Sequence, residues 1–361
     1  MQALTWDRAG SPLPMTERSR LAELGYLGLT LPREYGGAGA PLADALGVLE
    51  EIAKESQIAA FPVFEANTGA ARVIDLFGTA DQKRRFLPRI TSGQAVMAVA
   101  ISEPGAGSAA TDLSTTARLV NDSYVVRGIK RWCSGAGHSE LYLVYVRLSE
   151  EAGAKGIGAL IVERDAEGLS FGTPERLMGF RGIPSADMYF EDVRVPAANL
   201  IVREGCFGDL FTAFSIERLG NATMSLAIGQ ACLDRCASYV QERRQFGQDL
   251  ASFQLVQAAI ADMVVEVDAA RLLIERAAAH AGHGAPLPLE ASIAKCFANE
   301  MAKRVSDLAI QLHGGYGYAA EYGIERLHRD AIGWSLGGGT PNMQRIRIAS
   351  EYLGRRFEQR A

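Results

Sequence analysis

The hydrophobic period of this chain changes twice, and that double change restricts the possible folds more than any single motif does. Up to residue 93 apolar residues recur at helical spacing, as in 42–55 and 68–77. Pro32, Pro41, Pro62 and the Gly36-Gly37 pair punctuate this stretch. Over 94–203 the pattern becomes that of strands, at 96–101, 123–132, 141–146, 158–162 and 188–195, the last closed by Pro196. No helix of useful length separates these runs, which predicts antiparallel pairing in a barrel or sandwich rather than βαβ units. From 204 to 361 the helical period returns. Val256, Ile260, Met263, Val267, Ala270, Ile274 and Ala277 alternate steps of four and three, a strip suited to packing on neighbouring helices. Residues 211–244 and 289–312 read as further long helices, separated from each other by the 254–281 pattern and a break at 282–286. The second stops at Gly314-Gly315. The expected fold class is therefore α+β and multidomain: a helical domain at 1–93, an antiparallel β-barrel or sandwich at 94–203, and a helical bundle at 204–361.

Charge and composition remove several classes. The net charge of −5 and pI near 5.7 oppose a basic nucleic-acid footprint. Mean hydropathy is only +0.02, and charged residues interrupt every long apolar stretch, so no membrane insertion is expected. The five cysteines form no CxxC, which argues against a disulfide framework. Cys232 and Cys236 sit one helical turn apart without a nearby His, so a core role is favoured over metal, and no metal site is expected. The first residues resemble neither a secretion signal nor a transit peptide, and a cytoplasmic location is expected.

Several segments have the makings of a ligand site, each with a plainer alternative. Ile101-Ser-Glu-Pro-Gly-Ala-Gly-Ser108 follows a strand and offers hydroxyls and bare backbone, or only a turn. Trp132 and Ser134 lie two apart, so a planar ring could stack on one and bond the other; a core Trp beside a loop is equally consistent. Glu242-Arg-Arg-Gln-Phe-Gly247 and Gln311-Leu-His-Gly-Gly-Tyr-Gly-Tyr318 end helices, where amides could meet phosphate or serve only as caps. Gly337-Gly-Gly-Thr-Pro-Asn-Met-Gln344 turns into the last helix, whose N-terminus could attract an anion.

Taken together these segments resemble the acyl-CoA dehydrogenase family over nearly the whole chain. The resemblance also rests on Leu31-Pro-Arg-Glu-Tyr-Gly-Gly37, Lys130-Arg-Trp132, Phe190-Glu-Asp-Val-Arg-Val-Pro196 and Glu325-Arg-Leu-His-Arg-Asp330. It implies a helical domain, a middle β-domain and a C-terminal four-helix bundle. It implies bound FAD, an acyl thioester substrate on CoA or a carrier protein, and an electron-transfer flavoprotein or other acceptor as partner. A homo-oligomer, tetramer or dimer, is implied too. By the same resemblance Ile101, Ser102, Trp132 and Ser134 meet the flavin ring. Arg243, Phe246 and Gln254 reach the FAD of a neighbouring subunit, while Gln311, Gly314, Gly315, Thr340 and Asn342 complete its contacts. Ser108 and Arg218 serve the substrate. The family's first helix has no evident match at the N-terminus.

The general base is where the chain departs from the commonest pattern. Many members carry a Glu in a Glu-Gly-Thr turn before the last helix, but here that position is Gly338. Isovaleryl-CoA and long-chain members place the base on the first long helix of the bundle, and Glu217, followed by Arg218, falls there. The resemblance thus implies α,β-dehydrogenation with Glu217 taking the α-proton and hydride passing to flavin N5. A glycine at 338 is expected to clear volume for a substituted α-carbon. The alternatives are a flavin-dependent monooxygenase or desulfinase on the same fold, or a non-catalytic thioester-binding scaffold.

Overall fold

A computed structural model describes residues 2–355 and 357 of the 361. Six helices come first: α1 (Gln2–Ala9), α2 (Met15–Glu23), α3 (Leu42–Glu55), α4 (Gln57–Asn67), α5 (Ala70–Phe77) and α6 (Ala80–Thr91). Their starts follow local chemistry. Ser56 accepts a hydrogen bond from the Ala59 amide and begins α4, while Thr79 and Gln82 form a reciprocal capping box on α6. α4 is buried almost all round, which explains why its apolar residues show little sidedness.

Eight strands follow: β1 (Met97–Ala100), β2 (Thr116–Val120), β3 (Ser123–Ser134), β4 (Leu141–Arg147), β5 (Ile157–Glu163), β6 (Leu169–Phe171), β7 (Ser185–Pro196) and β8 (Leu200–Val202). They form one sheet in the order β6-β7-β3-β2-β4-β5-β8, with β1 also on β4. Most pairs are antiparallel as expected, but β1 and β2 both run parallel to β4. Alternation did not reveal this, because a period of two is the same for either direction.

The sheet separates two cores. Leu141, Leu143 and Tyr145 of β4 face a large core shared with the helices. Tyr142, Val144 and Val146 face a smaller core lined from β1, β2, β3, β5 and β7. A strand buried on both faces reads as an unbroken apolar run, and β4 and β5 do.

The chain then forms α7 (Phe207–Glu242), a short ribbon of β9 (Arg244–Gln245) and β10 (Gln248–Asp249), and the helices α8 (Gln254–Ala281) and α9 (Pro288–His313). A single turn, α10 (Gly315–Tyr318), precedes α11 (Ile324–Leu336) and α12 (Pro341–Tyr352). Met263, Val267, Ala270, Ile274 and Ala277 of the predicted strip are buried. α7 has 36 residues and is therefore about 54 Å long. It packs on α3 as well as on α8, α9 and α11, which makes the first helices and the bundle one continuous core.

A buried ion pair ties the loop after β1 to β3. Lys130 Nζ lies 2.8 Å from Glu103 Oε1 and also donates to the Ile101 carbonyl at 3.1 Å. Glu103 accepts from the Ser114 and Thr115 amides as well. Burial alone would raise its pKa; the Lys130 charge and these bonds outweigh that and hold it at about 2. Its stabilising contribution is therefore complete above the ordinary carboxylate range and is lost only as pH falls toward 2. Lys130→Met leaves a buried carboxylate unpaired and is expected to cost about 3–5 kcal/mol in denaturant unfolding at pH 7. The cost should shrink markedly at pH 3 to 4, because the variant's freed Glu103 can then take a proton.

Candidate functional site

A cavity of about 680 Å³ opens where α4, β1, β3, α7 and the segment joining α11 to α12 converge. Helix geometry selects what α7 contributes. Phe214, Glu217 and Asn221 are three and four residues apart, share a face and line the cavity. Arg218 is turned about 100° away. It is buried with its guanidinium 5.9 Å over the Phe214 ring and is not among the residues that line the cavity.

The opposite wall comes from the sheet. The backbone amide of Arg131 donates to the Ser102 carbonyl at 2.8 Å, which brings the Ser-Glu-Pro-Gly loop beside Trp132. The register shifts between Lys130 and Cys133, and Trp132 sits at φ +60°, a left-handed conformation unusual for a large side chain. The bulge leaves Trp132 52% exposed at the cavity, with the Arg131 guanidinium 4.4 Å over its ring. Ile101, Ser102, Ser108 and Ser134 line the same space. An indole that is half open, bordered by hydroxyls and backed by aliphatic carbon, fits a planar heteroaromatic ring system.

The third wall is the turn Gly337-Gly338-Gly339. Gly338 and Gly339 have φ of +64° and +87°, which glycine adopts without strain. Thr340 lines the cavity and caps α12, its Oγ1 accepting from the Met343 amide at 3.3 Å. A Cβ placed on Gly338 would lie 2.7 Å from both carboxylate oxygens of Glu217. The expected free volume beside Gly338 is thus not free: the Glu217 carboxylate fills it.

Glu217 Oε2 is shielded from solvent and has no hydrogen-bond partner. Burial pushes its carboxyl pKa up, while the charges of Lys295 and Arg218 pull it down. Glu65 of α4, which the sequence reading did not single out, also lines the cavity and is only 6% exposed. Burial first, and the Glu217 charge second, push it to about 8 against the pull of the Ala70 amide. The available signal was its position as the one charged residue in the otherwise uncharged α4. Aromatic residues complete the enclosure, with Trp334 set edge-on to Phe64 at 5.3 Å and to Phe180 at 4.9 Å.

The remaining expected cofactor residues lie elsewhere. Arg243, Phe246, Gln254, Gln311, Gly314, Gly315 and Asn342 do not line this cavity. Arg243 stacks 5.4 Å over Tyr316, beyond the α9 terminus, and Phe246 is 92% exposed. Among the described residues no cluster of three or more His, Cys, Asp or Glu could hold a metal ion.

Comparison with known proteins places these features in context. Residues 1–94, 98–193 and 207–353 match the models for the acyl-CoA dehydrogenase N-terminal, middle and C-terminal domains. The chain is 39% identical over 350 residues to the probable acyl-CoA dehydrogenase YngJ of Bacillus subtilis, covering 96% of this chain and 92% of that one. It is 36% identical over 353 residues to a 3-sulfinopropanoyl-CoA desulfinase of Cupriavidus necator, covering 96% and 89%. The structure of butyryl-CoA dehydrogenase from Megasphaera elsdenii superposes with a TM-score of 0.93 at 32% identity, over 97% of this chain and 92% of that one.

Two substitutions check the carboxylate geometry. Gly338→Ala forces either the turn or Glu217 to move and strains a left-handed backbone, with an expected cost of about 1–3 kcal/mol in thermal unfolding. For Glu65 the raised folded pKa means its stability contribution is full below the unfolded value of 4.5 and is lost as pH rises through about 8. Glu65→Gln should therefore flatten the decline in unfolding free energy between about pH 6 and 8, by an amount on the order of 2 kcal/mol. An unchanged slope would mean that Glu65 is ionised throughout that range.

Proposed function

The chain belongs to the acyl-CoA dehydrogenase family, and on that premise we propose that it moves a hydrogen pair across the Cα–Cβ bond of an acyl thioester with Glu217 as the base. It is an oxidoreductase, and its cofactor is FAD. The observation that carries the base assignment is a carboxylate with an unpartnered oxygen, facing the cavity, in the space that Gly338 leaves open. FAD, when bound, supplies the site that accepts or returns hydride.

The protein's own residues do the rest. Trp132 offers a face for the flavin ring, and Ile101, Ser102, Ser134 and Thr340 border it. Glu217 takes the α-proton. A carboxylate with an unpartnered oxygen shielded from water is a stronger base than a solvated one, and desolvation raises its pKa. Phe64, Phe180 and Trp334 keep water from the acyl chain, and Ser108 contacts the thioester arm near the opening. The same groups run the reverse reduction by returning the proton, consistent with relatives named as acryloyl-CoA and caffeyl-CoA reductases.

Electrons pass to or from an electron-transfer flavoprotein or another acceptor, a partner carried in the name of one relative's complex. Phe246, extended into solvent, and Arg243 and Gln254 beside it suit a second subunit whose FAD they help to hold, in a dimer or tetramer. No helix among the described residues is long and apolar enough to cross a membrane. The described cysteines are all free, which fits the reducing cytoplasm we assign.

The competing reading is a desulfinase, motivated by Gly338 and by the relative so named. Glu217 favours proton transfer instead. Anaerobic titration of the FAD-loaded protein with short, branched and aromatic CoA esters should bleach the flavin. In Glu217→Gln the bleaching rate should fall about 10²–10⁴-fold with FAD retained. Undiminished bleaching would remove Glu217 from its role. Sulfite release from 3-sulfinopropanoyl-CoA, with no bleaching by any acyl-CoA, would favour the desulfinase.

A further inference from the structure

Lys295 is a buried cation that the reaction as described leaves unused. It lies on α9 at 0% exposure. Its Nζ donates to Asn299 Oδ1 at 2.9 Å and to the Gly339 carbonyl at 3.0 Å, and both partners are neutral. An ammonium so enclosed needs a negative charge nearby or it loses its proton.

The turn it grips is the one on which Glu217 leans. Gly339 follows Gly338, whose missing side chain makes room for both Glu217 oxygens. Gln344 also donates to the Gly339 carbonyl, at 2.9 Å. The bonds continue inward. Asn299 donates to Asn221 Oδ1 at 2.9 Å and to Ser225 Oγ at 2.8 Å. Asn221, one turn beyond Glu217 on α7, donates to the carbonyls of Trp334 at 3.2 Å and Gly337 at 3.4 Å. α7, α9 and the glycine turn are thus joined by one buried polar network with Lys295 as its charged member.

We propose that Lys295 is a positioning residue for this site: it fixes the glycine turn through the Gly339 carbonyl and supplies a positive charge that favours the ionised form of Glu217 before a thioester enters. The role given to that charge rests on the reading of Glu217 as base. Other groups face the carboxylate too. Glu65 from α4 and Tyr145 from β4 both feel its charge, which adds to burial in keeping each of them protonated. Arg218 from α7 favours ionisation, but it also faces the like charge of Arg347. Lys295 likewise faces the like charge of Arg218, but its own bonds reach the turn itself. The coupling is mutual: burial lowers Lys295 to about 8, and the Glu217 charge works against that fall.

The test reads Glu217 directly, apart from turnover. In the FAD-loaded protein without thioester, infrared difference spectra assign the Glu217 carboxyl band as the one lost in Glu217→Gln. Lys295→Met and Lys295→Gln are then titrated. Both remove the charge, and Gln keeps a donor for the Gly339 carbonyl. The Glu217 band should titrate about one pH unit or more higher in both variants, and only Lys295→Met should also lose thermal stability. If Lys295→Met does not fold, Lys295→Gln carries the titration. An unmoved band in Lys295→Gln overturns the proposal, even if its bleaching rate falls. A moved band together with undiminished bleaching in Glu217→Gln would instead retain the coupling and end the base reading, so the two failures are distinguishable.

Discussion

Glu217 and a side chain at position 338 cannot occupy the same space, and the site is organised around that exclusion. The carboxylate enters from a long helix and stops where a Cβ on the facing turn would begin. The turn must therefore be glycine at its centre, and its backbone takes left-handed angles that let it pass close to α7. Two carboxylates converging there would also repel, since each raises the pKa of the other. The placement of one acid excludes the other by volume and by charge.

Burial makes the arrangement chemically useful and electrostatically costly. Glu65 and Glu217 line one cavity, and both are pushed toward their neutral forms. Lys295 and Arg218 oppose that drift for Glu217. The polar network through Asn221, Asn299 and Lys295 is buried where α7, α9 and the glycine turn meet, so each of its members needs the next to remain satisfied. The Trp132 bulge belongs to the same pattern: local backbone strain in β3 is held by the Lys130–Glu103 pair and the Arg131–Ser102 bond immediately before it.

Much of the fold was legible because burial leaves a period in the sequence. Helix α3 and the buried strip of α8 fall where helical spacing placed them, and β4 and β5 appear as the unbroken runs of doubly buried strands. Several short elements were not legible. β2, β6 and β8 have three to five residues, too few for a period to stand out from its surroundings. The parallel course of β1 and β2 along β4 leaves no mark in alternation. In the site, Glu217, Trp132 and Thr340 could be found from motif position, whereas Glu65 and Lys295 are single charges in helical stretches with no motif around them. Arg218 stands next to Glu217 in the chain yet one helical step carries it to another face.

By itself the sequence determined the order of helical and strand regions, the family resemblance, and the fact that an acid is missing at 338 and present at 217. Those properties are local: they depend on residue types and spacings along the chain. Only the tertiary structure decided that the missing side chain and the present one meet, that the gap is filled rather than open, and that a lysine from a third helix braces it. Such facts depend on how α7, α9 and the turn pack in three dimensions, where residues 217, 295 and 338 become neighbours although no local pattern in the chain connects them.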